Sequence, residues 1–157
     1  MSEGLRRRFE EWTTRVRQIG SRPQSPLTVL IVDDEEPVRE FVERVLRTAG
    51  YVTAVASDGV EAMQVTANIG PVDVLVTDMV MPEMTGDELA RRLRCKRPEL
   101  KVLYFTGFSD RLFDEKGSMW LDEAFVEKPC GVKGLLEAVS LLWSRHLDTP
   151  PTLASVP

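Results

Sequence analysis

Residues 74–86 read VLVTDMVMPEMTG. Val74 to Thr77 form an apolar, β-branched run suited to a buried strand, and the run stops on Asp78. A Met-Val-Met-Pro turn follows, then Gly86. A carboxylate carried at the end of a core strand is costly to bury unless something neutralises it. Asp78 therefore calls for partners elsewhere in the chain.

Four further apolar, β-rich runs flank this one: LTVLIV (27–32), YVTAVA (51–56), LKVLYFT (100–106) and EAFVEK (123–128), with the central run taken as VDVLVT (72–77). Helical periodicity fills the gaps. Val38, Phe41, Val42, Val45 and Leu46 make one apolar face, and Val60, Ala62, Met63 and Ala67 suggest a second. Leu89 and Leu93 anchor a third, which Pro98 ends. The stretch 109–119 is the least regular. Leu135, Leu136, Val139, Leu142 and Trp143 make a last helix. A β-α unit repeated five times predicts a parallel sheet with right-handed crossovers. Five units suit a flavodoxin-like, doubly wound α/β sheet of order 2-1-3-4-5, with helices on both faces and ligands bound beyond the carboxyl ends of the strands.

The chain has 157 residues, 43% hydrophobic and 29% charged, which fits one globular domain with residues to spare. Neither a membrane-spanning run nor an apolar signal core is visible, so a cytoplasmic location is expected. Cys95 and Cys130 show no metal or redox spacing. The net charge is −5, and six Arg against three Glu give residues 1–26 a balance of +3. The rest is acidic, which argues against nucleic-acid binding. Residues 27–147 hold the domain, 148–157 (DTPPTLASVP) a disordered tail, and 1–26 a helix and linker. In that helix Leu5, Phe9, Trp12, Val16 and Ile19 form a heptad-like stripe. It suits docking on the chain's own domain, homodimerisation or partner binding through residues 1–20, or a frayed or truncated remnant.

Polar residues fall at the predicted strand ends. The first strand ends in Asp33-Asp34, the third in Asp78, the fourth in Thr106-Gly107 and the fifth in Lys128-Pro129. Clustered carboxylates repel, and a hard divalent cation with oxygen ligands relieves that repulsion. Lys128 adds a fixed positive charge and Thr106 a hydroxyl. A metal, an ammonium and a hydroxyl are what a tetrahedral anion on Asp78 requires, so the pattern points to phosphoryl capture by a carboxylate. His146 lies near no acid, serine or cysteine pattern and reads as a surface residue.

With VDD at 32–34, TDMVMPEMTG at 77–86, FTG at 105–107 and EKP at 127–129, each closing a predicted strand, residues 27–147 resemble the receiver domain of two-component response regulators. The resemblance implies that Asp78 is the phosphoacceptor. It implies Mg²⁺ held by Asp34 directly, by Asp33 largely through water, by Asp78 and by the backbone carbonyl of Val80. Thr106 would bond the phosphoryl group and Lys128 would pair with Asp78. Phe125 stands where the family has a switching aromatic, often tyrosine. Phosphorylation would draw Thr106 toward Asp78 and let Phe125 move inward, changing a protein-interaction surface. A histidine kinase or phosphotransfer protein would be the donor and a downstream protein the target. The chain would not be a dedicated enzyme, and no room is left for a DNA-binding output domain.

Two rival readings are weaker. An aspartate-nucleophile phosphatase needs a second acid two residues past the nucleophile, and Val80 stands there. A degenerate receiver, binding partners without phosphorylation, is the alternative; the full set of Asp33, Asp34, Asp78, Thr106 and Lys128 speaks against it.

Overall fold

A computed structural model describes residues 25–107 and 122–148, with side chains described through Ser144. The stripe at 1–20, Phe108, the irregular stretch 109–119, the side chain of His146 and the tail beyond Asp148 lie outside the described residues.

Five strands, β1 (Thr28–Val32), β2 (Val52–Ala56), β3 (Val74–Thr77), β4 (Lys101–Thr106) and β5 (Glu123–Glu127), form one parallel sheet in the order β2-β1-β3-β4-β5. The expected order is the observed one. Four helices are described: α1 (Glu36–Thr48), α2 (Gly59–Ile69), α3 (Gly86–Arg94) and α4 (Val132–Asp148).

Burial on both faces explains the unbroken apolar runs. β3 and β4 are buried at every position and β1 at all but its first. One face packs Val29, Ile31, Val74, Val76, Leu103 and Phe105 against α1 and α4. The other packs Leu30, Val32, Leu75, Val102 and Tyr104 against α2 and α3. β2, at the sheet edge, is only partly buried, and Val52 is exposed.

Local chemistry sets the helix ends. Pro37 lies in the first turn of α1, where a missing N–H costs nothing. Gly50, with φ of 99°, takes the left-handed conformation just after α1, and the N–H of Tyr51 bonds the carbonyl of Leu46. Asp58 caps α2 by accepting the N–H of Glu61 at 2.7 Å, and Glu61 reaches back to the N–H of Ser57 at 2.7 Å. Thr85 caps α3 through the N–H of Glu88.

The apolar faces of α1, α3 and α4 are the expected ones, with Val42, Val45, Leu46, Leu89, Leu93, Leu135, Leu136, Val139 and Leu142 all buried. That of α2 is not. Ala62 is buried and Met63 partly so, but Val60 and Ala67 are exposed. The helical turn explains this: about 100° per residue places Ala62 roughly opposite Val60 and Ala67, so the four cannot share one face. Gly59 lies close against the loop after β3: a Cβ there would come within 2.7 Å of the Met84 sulfur, and the methionine side chain would have to shift.

Candidate functional site

The sheet register brings two acids together. Val32 of β1 pairs with Thr77 of β3, so Asp33 and Asp78 leave adjacent strands side by side. The backbone N–H of Asp78 still bonds the carbonyl of Val32 at 3.1 Å. Both carboxylates are buried, as the sequence led one to fear.

Lys128 follows β5 and supplies the compensation. Its Nζ lies 2.8 Å from Asp33 Oδ2 and 3.1 Å from Asp78 Oδ2. It also lies 3.2 Å from Glu35 Oε1 and over the Phe105 ring. Thr106 fixes the approach of β5 here, its carbonyl accepting the N–H of Lys128 at 2.9 Å. The bond between Lys128 and Pro129 is cis. Burial pulls the Lys128 ammonium pKa down, but hydrogen bonds to Asp33 and Asp78 and their charges outweigh it and push it above the ordinary value. Burial pushes Asp33 up, against the opposing pull of Lys128 and of the Glu35 N–H.

The loop after β3 is held close by its own residues. Met79, Met81 and Met84 are buried, anchoring it to the core. Glu83, with φ of 66°, sits in the left-handed region beside Pro82. Gly86 is required by close approach, since a Cβ there would meet the carbonyl oxygen of Asp78 at 2.2 Å. The N–H of Val80 turns back to Asp78 Oδ1 at 3.3 Å.

Among the described residues, oxygens of Asp33, Glu35 and Asp78 lie within 4.8 Å of one another. Three carboxylates against the ammonium of Lys128 leave a formal charge of −2 within this group when all are ionised, while the Arg39 guanidinium donates to the backbone carbonyl of Asp33 at 2.7 Å. An all-oxygen donor set with that deficit fits a hard divalent cation such as Mg²⁺. Asp34 is exposed and is not in this close group. Glu35 is, and sequence reasoning missed it. Asp33 Oδ1 accepts the N–H of Glu35 at 2.9 Å, and this turn sends the Glu35 side chain back over the site. Its place before Pro37, at the N-terminus of a helix that starts from the acidic strand end, was the available signal. Thr106 is buried at the same edge, and Phe125 is 40% exposed on β5.

Residues 29–140 match the response regulator receiver domain. The chain belongs to this family. It is 37% identical over 113 residues to the sensor kinase CckA of Brucella abortus, covering 71% of this chain and 12% of CckA. It is 32% identical over 111 residues to the response regulator receiver protein CpdR of the same organism, covering 71% of this chain and 92% of CpdR. The chain thus spans about an eighth of one of these relatives and nearly all of the other. Among solved receivers, that of the hybrid histidine kinase CckA superposes with a TM-score of 0.61 at 30% identity, covering 73% of this chain and 97% of that one. TrrA of Thermotoga maritima, in complex with Mg(2+)-BeF, gives 0.63 at 30% identity, covering 74% of this chain and 98% of that one. This receiver is a module of two-component signalling.

Proposed function

We propose that this receiver is a phosphoryl-accepting switch in which Asp78 carries the phosphoryl group. One observation carries the reading: two buried carboxylates and an exposed one converge on a single ammonium at the carboxyl edge of the sheet. Asp33, Asp78 and the carbonyl of Val80 would hold Mg²⁺, with Asp34 or Glu35 completing the acidic set. When bound, the cation supplies charge neutralisation for an incoming phosphoryl group. The TrrA receiver in complex with Mg(2+)-BeF, 30% identical to this chain, supports that choice of ion.

The phosphoryl donor is a phosphohistidine of a kinase or phosphotransfer protein. A carboxylate oxygen of Asp78 attacks phosphorus, the P–N bond of the donor breaks with its electron pair left on the imidazole nitrogen, and an acyl phosphate forms. Lys128 balances the negative charge that arrives. Thr106 donates its hydroxyl to a phosphoryl oxygen, and its movement shifts Phe125 and the surface around β5, altering affinity for a downstream protein. The chain works in the cytoplasm as a switch, not as a dedicated enzyme. Val80 and Phe108, two residues past Asp78 and Thr106 in the sequence, carry no group to orient an attacking water, so the acyl phosphate is expected to outlast one flanked by polar side chains.

Incubation with acetyl phosphate and Mg²⁺, followed by intact mass measurement, tests this. Wild type should gain one phosphate, and Asp78→Asn none. Absence of any adduct on wild type would favour a degenerate receiver that binds partners without phosphorylation.

A further inference from the structure

Phe125 has no hydroxyl, yet a phenol lies directly across the ladder from it. Tyr104 of β4 pairs with Phe125 of β5 and is wholly buried. Its hydroxyl lies 3.4 Å from Asp87 Oδ1 and 3.4 Å from Glu123 Oε1. A tyrosine has one proton to donate, so it serves one of these carboxylates at a time. Both separations are long for an O–H···O bond, so a shift of a few tenths of an ångström decides which is favoured. Burial and the charges of Glu123 and Asp87 push the phenol pKa up, keeping it a neutral donor.

The two acceptors belong to different parts of the fold. Asp87 is in the first turn of α3 and follows Gly86, whose backbone is pressed against the carbonyl of Asp78 and bonds that of Met79. Asp87 is thus tied through Gly86 to the loop that follows Asp78. Glu123 opens β5, two residues before Phe125 and on the same face of the sheet. Arg94, at the far end of α3, holds Glu123 at 2.7 Å. Tyr104 itself stands two residues before Thr106 on β4.

We propose that Tyr104 is a positioning residue that couples the acceptor loop to β5, its hydroxyl passing between Asp87 and Glu123 as the two elements shift. For its role in signalling, the proposal rests on the phosphoryl-switch reading above; the coupling itself does not.

Hydrogen–deuterium exchange of the full chain tests both parts. Without phosphate, Asp87→Asn should change exchange at residues 123–127 about fivefold in the Tyr104 background and leave it unchanged in the Tyr104→Phe background. Equal changes in the two backgrounds would overturn the coupling. In the chain treated with acetyl phosphate and Mg²⁺, Tyr104→Phe should take up phosphate within about twofold of wild type but lose the change in exchange at 123–127. A phosphorylated Tyr104→Phe that responds as wild type does would also overturn it. A wild type that takes up no phosphate would overturn the switch reading, and the first comparison would still decide the coupling. Tyr104→Phe removes a single hydroxyl and leaves the Arg94–Glu123 pair in place, and Glu123→Gln, which retains an acceptor, should preserve the Asp87 response.

Discussion

At the amino ends of the strands, among the described residues, Asp73, Glu123 and Asp122 each have a cation. Arg97 holds Asp73 at 2.7 Å, Arg94 holds Glu123 at 2.7 Å, and Lys101 holds Asp122. Asp73 also accepts the N–H of Thr28, tying the loop before β3 to β1. At the carboxyl ends Asp33, Glu35 and Asp78 share Lys128 alone among the described residues. The two edges belong to the same sheet and bury comparable groups. At the amino edge these three acids are each matched, and Arg97 also lies 3.5 Å from the exposed Glu99. The carboxyl edge is short of positive charge, and a structure tolerates that shortage where a ligand makes it good.

Breaking the matched edge should give the largest loss of stability. Arg94→Met strands a fully buried Glu123 carboxylate and should cost about 4 kcal/mol in denaturant unfolding, with or without Mg²⁺. The corresponding change at the other edge sharpens the contrast. Lys128→Met leaves the carboxylates facing one another and should cost about 3 kcal/mol in chelator, with part of that recovered on adding Mg²⁺. Recovery by Mg²⁺ in the first variant, or none in the second, would erase the distinction.

Relieving the unbalanced edge should act in the opposite direction. Asp33→Asn removes a carboxylate whose pKa burial has raised, while its amide oxygen can still accept the Glu35 N–H. Stability in chelator should rise by about 1 kcal/mol, and the response to Mg²⁺ should shrink.

The strand interiors are legible in the sequence. Solid apolar runs at β1, β3 and β4 mean burial on both faces, and they fix the parallel, two-layered cover. The stripes of α1 and α4 follow the helical period without conflict. The positions of Asp33, Asp78 and Lys128 were legible because a strand end is a local signal and the fold class gathers such ends at one edge. What escaped depends on reach and on pairing far apart in sequence. Glu35 joins the site because a turn on Asp33 redirects it. Arg94, Tyr104 and Glu123 meet across three elements, and no periodicity announces that meeting. On α2 the four apolar residues do not make one face, because the helical turn divides them.

The smallest expected effect is a control at the end of β2, away from the Lys128 ion pairs. Hydrogen bonds from the Ser57 hydroxyl and backbone hold the Glu61 pKa below its ordinary value of 4.5. An acid with a depressed folded pKa contributes stability above pH 4.5, and the contribution fades as pH falls through the folded value. Glu61→Gln should therefore lose about 0.5 kcal/mol near neutrality and converge on wild type in acid, with no change in the Mg²⁺ response.

The most direct measurement is the thermal unfolding midpoint of wild type and of the Asp33→Asn, Asp78→Asn double variant, titrated with Mg²⁺ from chelator to millimolar concentrations. Charge deficit as a cation site predicts a saturable rise in the wild-type midpoint and a flat line for the double variant. A wild type that ignores Mg²⁺, or a double variant that rises equally, would contradict it.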